Sequence, residues 1–433
     1  MKIGLYGGIA NNIYVFAKAL AGANADICFI RDRFDKFPFS QPAWEDVEFR
    51  LAYADVAKAS GWSWDQWTMQ EDDIGWTAPT WLYDTLNAKS NASKHIRLPR
   101  NPWDAFGLSR FIKSPGRAAV IEKMRQCDCL LVCGIEGSIL ASLSGRPYII
   151  WPHGADLMIA AGLLSPPWYR IRQSIAHGIL RRQLKAAFSS AICVGNHEPT
   201  GITTDYYGAE NYIRRLNVVF MPIPIPIRPR PTLIQRKQAL RQLLNEMGHV
   251  LPDGAVVGFV PSRLDYEWKG QDRLLRALSD LHAQGRAKNL CLVFSGWGTD
   301  FLDAQRYANE QGISDRLFFL DSALSKPLLF RYYLAADFVV DQFINGMYGT
   351  SALEAMACGA PLLTWLSEAY DRPWGRPPVI QARSSEEIAK ALADIAEGRH
   401  NLEETGNALQ VWLGRVHNPA AVVEGLIARF SGA

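Results

Sequence analysis

Along the chain, short apolar or β-branched runs alternate with stretches whose apolar positions recur at helical spacing, the pattern of βαβ units and a parallel sheet. In the first half the predicted strands are Lys2–Tyr6, Cys129–Cys133, Pro147–Trp151, Ala191–Val194 and Val218–Met221. The segment "MPIPIPIRPRP" then interrupts the rhythm with prolines 222, 224, 226, 229 and 231, which suits an extended, stiff connection rather than a helix. Beyond it the alternation resumes with Ala255–Val260, Leu290–Ser295, Arg316–Leu320, Phe338–Gln342 and Pro361–Trp365. The pattern predicts an α/β chain of two doubly wound domains, residues 1–222 and 232–415, with a last helix at about 416–433 packing back on the first. Sheets of this kind bind ligands at the carboxyl ends of their strands. No solenoid period or low-complexity segment is present, and no run approaches the roughly 18 to 20 apolar residues that span a bilayer.

The start, "MKIGLYGGIANNIYVFAKALAGA", has the leading lysine and small-residue end of a signal peptide. Gly7, Gly8, Asn11 and Asn12 split its apolar core into strand, turn and helix, however, and it reads as mature structure. The alternation also breaks between Trp44 and Trp103, an insertion holding seven tryptophans (44, 62, 64, 67, 76, 81 and 103) of the chain's 14. Trp62 and Trp64, beside Asp65, Gln66 and Glu71, offer stacking faces and hydrogen-bond partners for a sugar acceptor, and equally the bulk for a satellite core.

Composition narrows the class. With 433 residues, 48% hydrophobic and 21% charged, the chain is an ordinary globular protein with a large core. A net charge of +3 from 46 basic and 43 acidic residues does not suggest a nucleic-acid binder. Basic character is local: Leu157 to His197 contains no Asp or Glu, while Arg170, Arg172, Arg181, Arg182 and Lys185 fall within it. Residues 166–188 therefore read either as a peripheral contact with an anionic membrane face or as a solvated basic helix. Seven cysteines without framework spacing point to reduced thiols and a cytoplasmic location. Cys127, Cys129 and Cys133 lack a partner pair at metal-site spacing, so no metal is expected.

The chemistry-bearing residues sit at strand ends. Gly7 and Gly8 follow the first strand and let a ligand approach the backbone. "WPHGAD" sets His153 and Asp156 just after another strand. Arg263 and Lys269, in "PSRLDYEWKGQDRLL", are two cations on one loop, suited to clamp a diphosphate. Gly296, in "FSGWGTD", marks another turn open to a close ligand. Finally "GMYGTSALEAMACGAPLLTW" predicts a helix over Ala352–Cys358, capped by Thr350 or Ser351 after Tyr348 and Gly349. Its start offers free N–H groups to phosphate. Glu354 lies one turn in, where an unpartnered buried carboxylate costs several kcal/mol, so it should reach water or accept from paired ligand hydroxyls such as those of a ribose.

Through the Gly7-Gly8 loop, "HGAD" at 153–156, "SRLDYEWKG" at 262–270, "SGWG" at 295–298, "AADFVVDQF" at 335–343 and "ALEAMACGAPLL" at 352–363, the chain resembles a retaining glycosyltransferase of the GT-B fold, family 4. The resemblance implies two Rossmann-like domains facing a central cleft and transfer of a sugar from a nucleoside diphosphate sugar to a glycan, lipid-linked or other hydroxyl acceptor. It further implies synthesis of a cell-surface polysaccharide or glycolipid, with neither cofactor nor metal. It gives Arg263 and Lys269 the diphosphate, Thr350 and Ser351 the same phosphates, Glu354 the ribose and His153 the donor sugar. Ser322 and Leu324 fall where the nucleobase is held, and Asn11 and Asp156 on the acceptor side. The family pairs two glutamates with seven residues between them; the first position is Gly346 here, as in a subset of members, so sugar recognition falls to a neighbour such as Asp341, Gln342 or Asn345.

Overall fold

The computed structural model describes residues 1–8, 11–31, 38–52, 74–85, 116–164, 171–196, 208–371 and 374–432. The chain divides into two compact units, one of Met1–Pro42, Thr77–Pro224 and Pro419–Ala433, the other of Ala43–Trp76 and Ile225–Asn418.

In the first unit, β1 (Ile3–Tyr6), β2 (Ile27–Arg31), β4 (Leu82–Asp84), β5 (Cys129–Cys133), β6 (Tyr148–Trp151), β7 (Cys193–Asn196) and β8 (Val218–Phe220) form a parallel sheet in the order β4-β2-β1-β5-β6-β7-β8; β3 (Arg50–Ala52) belongs to the other unit. β1, β5 and β6 are buried along their whole length, as parallel strands covered on both faces must be. The helix Pro419–Ser431 packs on Asn12–Gly22, next to β1.

In the second unit, β9 (Val256–Val260), β10 (Leu290–Phe294), β11 (Leu317–Phe319), β13 (Phe338–Val340), β14 (Leu362–Thr364) and β15 (Ile380–Gln381) run parallel in the order β11-β10-β9-β13-β14-β15. This is the doubly wound order with one reversal, between β9 and β13; in the first unit the reversal falls between β1 and β5. The helix Gln271–Ala283 turns Leu274, Leu275, Leu278 and Leu281 inward at helical spacing, onto a core with Leu292, Phe294 and Phe338.

All ten expected strands are present, Cys129–Cys133 with the expected bounds and the others with ends shifted by at most two residues. The unexpected ones are β2, β4, β15 and the antiparallel pair of β3 with β12 (Ser322–Leu324). That pair places the stretch beginning at Ala43, expected as an insertion in the first domain, in the second unit. Leu51 lies opposite Ala323, Phe49 N donates to Ser325 Oγ at 3.0 Å, Ser325 N donates to Phe49 O at 3.1 Å, and Arg331 pairs with Glu48 at 3.1 Å. Main-chain bonding across some 270 residues of sequence overrides the local reading, because a three-residue strand carries no pattern of its own.

Candidate functional site

In the first unit, the strand reversal opens a cavity of about 400 Å³ walled by Gly7, Gly8, Arg31, Glu136, His153 and Asp156 among others. Gly7 lies against Cys133, the residue before the helix Gly134–Ser144. The turn from β6 is held by Asp156, which accepts from the backbone N–H of His153 at 3.1 and 3.3 Å and of Leu157 at 2.9 Å. The ring of His153 meets the edge of Trp151, with centroids 5.4 Å apart. Burial pushes the Asp156 carboxyl up to about 6, against the pull of these N–H bonds. Asn11 is buried, outside the cavity wall, and its amide donates to Gln41 O at 2.8 Å. Trp62 and Trp64 lie outside the described residues.

Of the basic stretch, Ile171–Ser190 is a helix, while residues 165–170, with Arg170, lie outside the described residues. Arg181 donates to Ala161 O at 3.1 Å, closing the end of the helix Ala155–Ala161, and Lys185 stands over the Tyr212 ring at 5.9 Å. These two cations thus have partners inside the unit. Among the described residues no helix is long and apolar enough to cross a membrane.

The second unit gathers its polar residues at the β9/β13 reversal. Arg263 follows β9 and its Nε donates to Asp265 at 3.0 Å; Asp265 also caps the short helix Tyr266–Lys269 by accepting from Trp268 N at 3.2 Å. Lys269 donates to Gln342 Oε1 at 3.2 Å, and Gln342 Nε2 donates to Met347 O. Phe343 N donates to Lys269 O at 2.9 Å and Asn345 to Trp268 O at 3.0 Å. The cationic loop and the loop after β13 are thereby stitched together, ending at the start of the helix Thr350–Ala357. That helix begins one residue earlier than any side-chain cap requires: Gly349 is its N-cap, no side chain caps it, and Thr350 and Ser351 are its first residues. A Cβ on Gly349 would meet nothing within 4 Å, so the space before these N–H groups is open. Tyr348 turns the other way, packing on Tyr370, Trp412 and His417, and its N–H donates to the Tyr370 hydroxyl at 3.3 Å.

Glu354 has partners the sequence did not suggest. It is 5% exposed, and its two oxygens accept from Lys326 Nζ and, at 3.2 Å, from the Tyr333 hydroxyl. Burial opposes the charge on Lys326, but Glu354 and Glu45 together hold its pKa above the ordinary value. Burial first, then the charges of Glu354 and Asp341, push the Tyr333 phenol well up, so it remains a donor. The only sequence signal for Lys326 is a lysine at a helix start, Ser325-Lys326-Pro327, where a cation is unfavourable to the helix dipole and calls for another reason.

Asp341, straight after β13, is 1% exposed, with Ser262 Oγ 3.5 Å from Oδ1 and no protein partner for Oδ2. Burial raises its pKa, opposed by Lys269, the Gly349 N–H and Ser262. Among the described residues, the hydroxyls of Ser295, after β10, and Ser322, at the start of β12, are likewise buried without a partner. Leu324 is buried in the β3/β12 pair. Gly296, expected to admit a ligand, instead admits protein: a Cβ there would lie 1.8 Å from Leu320 O and 2.5 Å from Ser322 N. Gly346 has φ +64, and a Cβ would sit 2.8 Å from the Trp365 ring, itself covered by the Arg383 guanidinium at 3.9 Å. A glutamate does not fit that backbone or that space. Of the neighbours, Gln342 and Asn345 are committed to the stitching bonds above.

Residues 249–408 match the family model of glycosyl transferases group 1. A D-inositol 3-phosphate glycosyltransferase of Corynebacterium jeikeium is 36% identical over 113 residues, covering 25% of this chain; the chain spans about a quarter (26%) of that relative's length. Among solved structures, Anabaena HepE in complex with UDP and glucose superposes with a TM-score of 0.61 at 14% identity, covering 100% of this chain and 99% of that one. Sucrose-phosphate synthase from Thermosynechococcus elongatus gives 0.57 at 15% identity, over 100% of both. These likenesses establish the GT-B fold of two Rossmann-like domains.

Two outcomes follow from this geometry. Gly346→Glu combines a left-handed backbone with overpacking against Trp365, and should lower unfolding free energy by about 2–4 kcal/mol in urea titrations; a loss under about 0.5 kcal/mol contradicts the steric account. Asp156 has a folded-state pKa above its ordinary value, so its stabilising contribution is complete below about pH 4 and is lost as pH rises through 6. Relative to Asp156→Asn, the wild type should therefore lose about 2–3 kcal/mol between pH 4 and pH 7, and a pH-independent difference would refute it.

Proposed function

We propose that the protein is a retaining, metal-independent glycosyltransferase that moves a sugar from a nucleoside diphosphate sugar to a hydroxyl of a glycan or lipid-linked acceptor. In this reading it falls in the subset of family 4 with glycine at the first glutamate position. The observation that carries the proposal is the stitched strand reversal of the second unit: Arg263 and Lys269 on one side, the start of the helix Thr350–Ala357 on the other, and Glu354 one turn deeper. The matched family segment, 249–408, contains every one of these residues.

The roles follow from charge. A diphosphate leaving group gains negative charge as the glycosidic bond breaks, and two cations with a helix N-terminus stabilise that charge without moving. Lys269 is held by Gln342 and Arg263 by Asp265, so little reorganisation is needed when the donor arrives. Glu354 takes the ribose hydroxyls. An acceptor hydroxyl attacks the anomeric carbon on the face the leaving group vacates, and its proton passes to a donor phosphate oxygen. The sugar then keeps its anomeric configuration.

Lys269→Ala and Arg263→Ala should each lower kcat/KM for release of nucleoside diphosphate from the sugar donor at least tenfold, about 1.4 kcal/mol, with unchanged unfolding midpoints. Near-normal turnover in both variants refutes the site. Anomeric proton coupling in the product's NMR spectrum tests the stereochemistry, and inversion would refute the retaining reading.

A further inference from the structure

The Lys326–Glu354 contact joins two helices at the point where the proposed donor is read. Glu354 projects from Thr350–Ala357, while Lys326 and Tyr333 both project from Lys326–Ala335. Each carboxylate oxygen has two acceptor sites and uses one here, on Lys326 or on Tyr333. One site per oxygen is left, which is what a pair of adjacent hydroxyls requires. Lys326 is itself fixed. It follows Ser325, whose main chain and side chain are both bonded to Phe49, and Glu45 places a second negative charge near its ammonium group. A buried pair of this kind adds little to stability compared with apolar packing, so its retention at this point calls for a role in orientation.

We propose that Lys326 is a positioning residue for ribose recognition: it supplies the counter-charge of Glu354 and fixes its carboxylate so that both oxygens accept from the 2′- and 3′-hydroxyls of the nucleotide. The inference rests on the nucleotide-sugar reading above. Lys326 touches no substrate in this scheme and acts only through Glu354.

A double-mutant cycle tests it. Calorimetric Kd values are measured for whichever of UDP, GDP and ADP the wild type binds, and for its 2′-deoxy counterpart, on the wild type, Lys326→Met, Glu354→Gln and the double variant. The wild type should prefer the ribose form by about tenfold or more, the loss expected for one hydrogen bond to a charged group. Each single variant should lose most of that preference, and the double variant should lose no more than Glu354→Gln alone, because coupled residues are not additive. Lys326→Met strands a buried charge, so if it fails to fold, Lys326→Arg and the double variant carry the comparison: the arginine should keep the preference and the uncharged pair should not. A preference unchanged in Lys326→Met, or in the double variant where that single does not fold, overturns the proposal, as do losses that add across the cycle. A wild type that binds ribose and deoxyribose forms equally sinks this inference and the ribose role of Glu354, and leaves the nucleotide-sugar reading standing. A wild type that binds none of the three nucleotides sinks the functional reading, and this inference with it.

Discussion

The reversal of strand order between β9 and β13 is the constraint on which the second unit's chemistry depends. Connections from these adjacent strands leave toward opposite faces of the sheet, so nothing regular can cover their carboxyl ends. The backbone there must be satisfied by side chains or by a ligand. The chain meets that demand with the bonds of Lys269 to Gln342, Gln342 to Met347 and Asn345 to Trp268. No side chain caps the start of Thr350–Ala357, and a Cβ on Gly349 would meet nothing within 4 Å. Among the described residues, Asp341 Oδ2 and the hydroxyls of Ser295 and Ser322 are buried without a partner, and Asp341 and Ser295 directly follow β13 and β10, where a polar site is expected to carry unsatisfied groups.

Charge balance explains the inner layer. A carboxylate at position 354, 5% exposed among Ala352, Leu353, Ala355 and Met356, persists in the folded chain because Lys326 neutralises it and Tyr333 completes its bonding. The lysine in turn is anchored by a segment from far earlier in the chain, through the β3/β12 pair and the two bonds between Phe49 and Ser325. A substitution near residue 49 would therefore be felt at Glu354 without touching it, by loosening the main chain on which Lys326 stands. Gly346 shows the same economy: the position is closed to any side chain by its backbone and by Trp365, whose ring Arg383 covers.

Much of this was legible in the sequence because it is local. Runs such as Cys129–Cys133 and Leu290–Phe294 are fully buried strands and announce themselves by continuous apolar residues. The loop cations Arg263 and Lys269, the glycine before Thr350 and the carboxylate at 354 were visible from motif spacing. What was not legible depends on long-range pairing. No feature of residues 43–52 says that they bond to 322–325, and nothing near Glu354 in sequence says that Lys326 is its partner. Gly296 misled for the same reason, since a glycine needed for ligand approach and one needed for approach of the Leu320–Ser322 main chain look alike until the fold is known.

The proposed nucleoside diphosphate site of the second unit is tested by calorimetric and thermal-shift titration of the wild-type protein with UDP, GDP, ADP and their common sugar conjugates. One nucleotide family, and not the others, should bind with measurable heat. At about one hundred times its Kd that family should stabilise the fold by about 2.7 kcal/mol. Absence of both heat and stabilisation for every nucleotide would contradict it.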